Sequence, residues 1–240
     1  MIATAEQLRT KIFADGADLA SIAKMNDNPL IAGFTTNPTL MRTAGVADYE
    51  KFARAVLREV REKPISFEVF SDDFPEMGRQ ARRIASWGDN VYVKIPITNT
   101  KRQSALDLVA ELAAEGIKLN VTAVFTLAQA EAVIQPLTAG GASCISIFAG
   151  RIADTGRDPV GLMSDAVKLL RPHPRIELIW ASPREVLNVI QANDIGCDII
   201  TVTGDILKKL HLIGKDLEEF SLDTVRMFYA DACAAGFAIG

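Results

Sequence analysis

The chain carries only two histidines, His173 and His211, and three cysteines, Cys144, Cys197 and Cys233. The histidines share no ligand spacing with each other, with cysteine or with clustered carboxylates. A catalytic metal site is therefore not expected, no cofactor is implied, and histidine-centred acid–base chemistry is poorly supplied. The cysteines are odd in number, far apart and outside any Cys-x-x-Cys pair, and they read as reduced, mostly buried thiols of a cytoplasmic protein. No apolar run reaches the roughly 18 residues that a membrane-spanning helix needs. The opening Met1-Ile2-Ala3-Thr4-Ala5-Glu6 lacks the basic-then-apolar order of a secretory leader. The formal net charge is −4, and the longest basic cluster, from Arg79 to Arg83, reads as the solvated face of a helix, so nucleic acid is not an expected partner. Neither Gly-x-Gly-x-x-Gly nor Gly-x-x-x-x-Gly-Lys-Ser/Thr occurs, which weighs against a nucleotide-binding open sheet. An enzyme built from this chain has to work with lysine, carboxylates, hydroxyls and water.

What is present is a regular alternation. Short β-branched and apolar runs occupy 11–15, 31–36, 65–70, 91–96, 119–125, 144–149, 177–182 and 199–203, starting on average about 27 residues apart, which suits βα units. Amphipathic stretches such as 105–116 and 127–139 lie between them. Pro38, Pro159 and Pro183 stand where helices begin, and Gly88, Gly116 and Gly140 stand where helices end. Eight such units predict one (β/α)8 barrel over 1–216, with a doubly wound sheet as the competing architecture. The tail, 217–240, predicts an extra helix. Its Leu222, Val225, Met227, Phe228 and Tyr229 need cover, either on its own barrel or on a neighbouring subunit.

Lys94 is the most informative residue, because it interrupts the apolar strand Val91-Tyr92-Val93-Lys94-Ile95-Pro96. A lysine there is paired, reaches water from an edge, or is chemically active. Desolvation in general disfavours an ammonium and favours a nucleophilic amine, the requirement for a Schiff base. The other strands also carry polar residues toward their C-terminal ends: Asp15, then Asn37, Glu68, Asn120 with Thr122, Ser146 (on one face with the apolar Phe148), Arg151, Ser182, Arg184, and finally Thr201 and Thr203. In a barrel those ends converge on one pocket. Asp15 and Glu68 suit proton transfer, Thr122 suits orienting a water, Asn37 and Asn120 suit hydroxyl binding, and Arg151 and Arg184 suit a phosphate. Singly, each has a plainer reading: Asp15 as a helix cap, Asn37 as a turn residue before Pro38, either arginine as half of a surface ion pair.

These segments resemble the transaldolase family, which includes the small fructose-6-phosphate aldolases. The resemblance rests on Phe13-Ala14-Asp15, Thr35-Thr36-Asn37-Pro38-Thr39-Leu40, Glu68-Val69, Val93-Lys94-Ile95-Pro96-Ile97-Thr98, Asn120-Val121-Thr122-Ala123-Val124-Phe125, Ser146-Ile147-Phe148-Ala149-Gly150-Arg151-Ile152 and Ala181-Ser182-Pro183-Arg184. It implies a class I aldolase barrel without a metal, Lys94 as the imine-forming lysine, Asp15 as the acid–base group at the C4 hydroxyl, and Glu68 with Thr122 holding the catalytic water. It further implies Asn37 and Asn120 as donor-hydroxyl binders, and Ser146, Arg151 and Arg184 as the phosphate site, with Ser182 alongside. Sugar phosphates are the implied substrates, and a homo-oligomer joined through the tail helix is the implied assembly. Glu68 and Phe148 resemble the transaldolase branch, where the aldolases carry Gln and Tyr. The implied reaction is transfer of a dihydroxyacetone unit from a ketose phosphate, such as sedoheptulose 7-phosphate or fructose 6-phosphate, to an aldose phosphate. Release of free dihydroxyacetone, or a nonstandard sugar, is the alternative. The chain departs from the family at Pro183, at Ile147, at Trp180 and in a more polar eighth strand that runs into Asp205.

Overall fold

The computed structural model of the chain describes residues 4–239. The eight runs are eight parallel strands that close in sequence order into one barrel. They are β1 (Lys11–Asp15), β2 (Ile31–Thr35), β3 (Ile65–Glu68), β4 (Val91–Pro96), β5 (Leu119–Val124), β6 (Ser143–Ile147), β7 (Ile176–Trp180) and β8 (Ile199–Thr203). β8 pairs back onto β1 from Lys11 opposite Ile199 to Asp15 opposite Thr203, so no strand edge is left open and the doubly wound alternative is excluded.

β2, β3, β5, β6 and β7 stop one or two residues short of the expected ends. At these places the chain has already turned toward the next element. Asn37 caps the helix Pro38–Thr43 by accepting from Leu40 N–H, and Phe148 precedes the helix Ala149–Asp154. Pro38 and Pro159 stand at helix starts as expected, but Pro183 lies in an irregular loop ahead of the helix Leu187–Asp194. Gly116 takes φ +81° after the helix Leu106–Ala114, the left-handed stop that glycine allows without steric cost.

The strands bury their outer faces against the helices in one large apolar core, with Phe34, Phe67, Ile95, Leu119, Ile145 and Trp180 almost fully enclosed. A second, smaller cluster of Phe13, Cys144, Ile179, Ala181 and Ile199 sits on the strand faces that also carry Asp15, Ser146 and Thr201. It plugs the barrel beneath those polar groups. A Cβ on Gly33 would lie 2.5 Å from Phe13 Cζ, so glycine on β2 is what lets the Phe13 ring lie across the barrel.

The tail forms the helix Leu217–Ala235, started by Asp216 accepting from Glu218 and Glu219 N–H and ended by Gly236 at φ +66°. None of its residues is buried, and Leu217, Val225, Met227, Phe228 and Tyr229 are exposed. Of the two covers expected for this apolar surface, its own barrel does not supply one. No helix among the described residues is long and apolar enough to cross a membrane.

Candidate active site

Strand register brings the chemistry together. Glu68 on β3 lies directly opposite Lys94 on β4, and Lys94 lies opposite Asn120 on β5. Lys94 is 6% exposed. A cation so enclosed needs compensation. Its Nζ lies 3.2 Å from Glu68 Oε2 and donates to the carbonyl of Thr36 at 3.0 Å. The carbonyl is available because β2 ends at Thr35 and the chain turns there.

Asp15, at the end of β1, accepts a 2.7 Å hydrogen bond from Thr35 Oγ1. Burial pushes its carboxyl above the usual carboxylate range, against the opposing pull of the Lys94 charge and the Thr35 hydroxyl. The barrel end thus holds one enclosed amine between a carboxylate at contact distance and a second carboxyl biased toward protonation.

β5 is irregular at this level. Its register against β6 slips between Val121 and Val124, and Ala123 sits at φ +57°. A non-glycine residue in that region costs roughly 1–3 kcal/mol and is held there by its surroundings. Beside it, the Thr122 hydroxyl is buried without a protein hydrogen-bond partner. A buried hydroxyl left open inside a polar cavity is suited to a water or a substrate oxygen.

Asn120 is fully enclosed one layer deeper. Its Nδ2 donates to Ser66 Oγ at 3.1 Å and its Oδ1 accepts from Ser146 Oγ at 2.7 Å. Asn37 uses its side-chain oxygen to cap the helix behind it, at 2.9 Å from Leu40 N.

The cationic side is built from the loops after β6 and β7. The Arg151 guanidinium stands 5.4 Å over the Phe148 ring, and Phe148 packs on Phe125. Arg184 makes a two-pronged contact with Asp154, including Nε to Oδ1 at 3.0 Å, with both side chains about half exposed. Ser182 adopts φ +60°, and its carbonyl passes so close to Gly150 that a Cβ there would lie 1.5 Å away. Glycine is therefore obligatory at 150 if the two loops are to meet.

Of the site residues expected from the sequence, all but Asn120 line one cavity of about 390 Å³ at the C-terminal end of the barrel: Asp15, Asn37, Glu68, Lys94, Thr122, Ser146, Phe148, Arg151, Ser182 and Arg184. Thr35, Ala123, Pro183, Thr201 and Thr203 are also part of its wall. Asp205 does not line it. Neither does Trp180, which is wholly enclosed, so its indole is no part of the cavity surface. A hollow of similar size, about 400 Å³ near Leu30 and Leu210, has only Glu6 and His211 as titratable lining and gathers no comparable chemistry. No group of three or more His, Cys, Asp or Glu side chains suited to a metal occurs among the described residues.

Sequence patterning did not single out Thr35 and Thr36 as partners of Asp15 and Lys94, although both lie in the quoted Thr-Thr-Asn-Pro segment. Nor did it find the strain at Ala123 or any role for Tyr49. A left-handed alanine leaves no mark in hydropathy, and Tyr49 lies in a helical segment outside every strand run, 19 residues before Glu68 in sequence.

Residues 12–239 match the family described as Transaldolase/Fructose-6-phosphate aldolase. A relative named "Probable transaldolase" from Nitrosopumilus maritimus (strain SCM1) is 37% identical over 218 residues, covering 89% of this chain and 94% of its own length. Another of that name, from Clostridium acetobutylicum, is 37% identical over 201 residues, covering 83% and 89%. Among solved structures, a dihydrodipicolinate synthase from Rhodopseudomonas palustris superposes with a TM-score of 0.59 at 12% identity, over 95% of this chain and 81% of that one. An N-acetylmannosamine-6-phosphate 2-epimerase from Clostridium perfringens gives 0.56, also at 12% identity, over 85% and 93%. At that identity the structural matches speak for the barrel and for nothing finer.

Proposed function

Since this chain belongs to the transaldolase/fructose-6-phosphate aldolase family, we propose that it moves a dihydroxyacetone unit from a ketose phosphate, such as sedoheptulose 7-phosphate or fructose 6-phosphate, to an aldose phosphate through a Schiff base on Lys94. That the protein is an enzyme of the transaldolase kind is given by the family. The donor, the acceptor and the covalent intermediate are our reading.

The observation that carries it is the enclosed Lys94 Nζ, 3.2 Å from Glu68 Oε2 and facing a cavity whose other wall holds two arginines. Lys94, as the free amine, adds to the ketose carbonyl. A water held by Glu68 and Thr122 carries protons while the carbinolamine loses water to give the imine. Asp15 takes the proton of the C4 hydroxyl as the C3–C4 bond breaks. The imine accepts the electron pair, and the aldose phosphate leaves. The three-carbon enamine stays on Lys94 until an acceptor aldehyde arrives, adds at the same carbon and takes the proton back from Asp15. Hydrolysis of the new imine then frees the product. Arg151 and Arg184 hold the phosphate, with Ser146, Ser182 and Phe148 shaping the space around it.

Asn37 and Asn120 remain our candidates for the donor hydroxyls. Asn37 faces the cavity directly. Asn120, lying beneath it, contributes through Ser146, whose hydroxyl it orients. The free thiols of Cys144, Cys197 and Cys233 support a reducing compartment, the cytoplasm. The uncovered tail helix supports a homo-oligomer in which a second copy covers it.

Glu68 and Phe148 favour transfer over release. The test is product analysis with a ketose phosphate in the presence and absence of an aldose-phosphate acceptor. Acceptor-dependent turnover supports transfer. Free dihydroxyacetone at full rate without acceptor would replace that reading with an aldolase.

A further inference from the structure

The end of β3 has a hydrogen-bonding problem that the active site creates. On the β2 side the parallel ladder runs through Phe34 N–H to Pro64 O and Thr36 N–H to Ser66 O. Continued one step, it would give Glu68 N–H to Thr36 O and residue 38 N–H to Glu68 O. Neither forms. The Thr36 carbonyl accepts from Lys94 Nζ instead, and residue 38 is Pro38, which has no N–H. The main chain of Glu68 is thus stripped of both strand partners at the residue whose carboxylate meets Lys94.

One hydroxyl replaces both. Tyr49 Oη donates to Glu68 O at 2.7 Å and accepts from Glu68 N–H at 2.9 Å. Tyr49 opens the helix Tyr49–Glu59, whose start is fixed by Asp48 accepting from Lys51 N–H. Its ring is held among Phe67, Phe70 and Trp87, with centroids 6.5, 5.4 and 6.0 Å away. Burial raises the phenol above its ordinary pKa, so the hydroxyl stays neutral and keeps both its donor and its acceptor role.

We propose that Tyr49 is a positioning residue for the reaction: its hydroxyl, clasping the N–H and C=O of Glu68, fixes the carboxylate at contact distance from Lys94. The proposal rests on the Schiff-base reading of the site, in which Glu68 handles the water. Without the clasp the last residue of β3 has no anchor on the β2 side, and a displacement of the order of 1 Å at a catalytic group is costly to rate.

The experiment compares wild type, Tyr49→Phe, Glu68→Gln and the double variant, reading kcat and KM for the ketose phosphate across pH. Tyr49→Met, which fills similar space without a hydroxyl, serves beside Tyr49→Phe should the phenylalanine fit poorly. Thr10→Ala, which removes a buried 2.7 Å hydrogen bond to the Cys197 carbonyl at the N-terminal end of the barrel, controls for general loss of stability and keeps wild-type kcat. Tyr49→Phe is expected to lower kcat by about tenfold while KM stays within about twofold, a loss of transition-state rather than ground-state interaction. Adding Tyr49→Phe to Glu68→Gln should cost little more. An unchanged kcat in Tyr49→Phe, or equal losses with and without Glu68, overturns the clasp while leaving the function intact. A wild type with no turnover and no adduct on Lys94 overturns both.

Discussion

Glu68 and Lys94 are direct neighbours across β3 and β4, and their side chains meet at 3.2 Å at the cavity wall, with Lys94 nearly enclosed. The pairing answers why a lysine is tolerated in an apolar strand: Glu68 and the Thr36 carbonyl compensate its charge. Exchanging Glu68 for glutamine keeps the shape and removes the charge. Glu68→Gln should slow transfer by about a hundredfold, the range expected for losing a proton carrier, and raise the proportion of free dihydroxyacetone. Rates and product ratios with and without acceptor measure both effects. Transfer at the wild-type rate would remove Glu68 from the proton path.

Asp15 ties activity to pH and stability in opposite directions. Burial raises its folded pKa above its unfolded value. The carboxyl therefore takes up protons on folding, and its stabilising contribution is complete below the unfolded value of about 3.9 and lost as pH rises through the folded one. Asp15→Asn removes that loss. In denaturant titrations from about pH 4 to neutrality, the variant should gain stability relative to wild type as pH rises, while catalysis falls by at least about a hundredfold. A stability difference that does not change with pH would contradict this account of Asp15.

Arg184 is paired with Asp154, and in our proposal it is shared with the incoming phosphate. An ion pair this exposed adds little to folding, so neither partner's removal should move the melting temperature much. Arg184→Ala should raise KM for phosphorylated substrates by about tenfold or more and leave nonphosphorylated analogues unaffected. Asp154→Asn, which frees the guanidinium, should lower KM for the phosphorylated donor. Steady-state kinetics on matched substrate pairs decides, and equal effects on both members would take Arg184 off the phosphate.

Gly150 is the point where the loops after β6 and β7 touch. A side chain there would run into the Ser182 carbonyl, which is backbone and cannot swing aside. Gly150→Ala should cost roughly 3 kcal/mol or more, at or above the upper end of ordinary overpacking, and weaken phosphate-substrate binding as Ser182 and Arg151 are pushed apart. Thermal unfolding and KM report the two losses; a variant of wild-type stability would mean the loops part freely.

The barrel was readable because its signals are local: β-branched runs, helix caps, and one polar residue near the end of each strand. The cavity membership of Lys94, Asp15, Glu68 and Thr122 followed from strand ends alone. Strand ends were overrun by a residue or two, because hydropathy does not register where a ladder stops and a loop turns. Asn120 was legible as a polar residue facing inward, but its depth, beneath Ser146, depends on the stagger between strands. Trp180, a departure from the family by sequence, belongs to the core under the helix layer and is wholly enclosed. The clasp of Tyr49 on Glu68 arises only where Pro38 and the Thr36 carbonyl fail β3, a three-body circumstance that no single motif encodes.

The central claim is that Lys94 forms the covalent bond. Borohydride reduction in the presence of fructose 6-phosphate, followed by peptide mass mapping, tests it directly. The account predicts a dihydroxyacetone or ketose adduct on the peptide bearing Lys94, lost in Lys94→Met. An adduct on another lysine, or no adduct with any ketose phosphate, would contradict it.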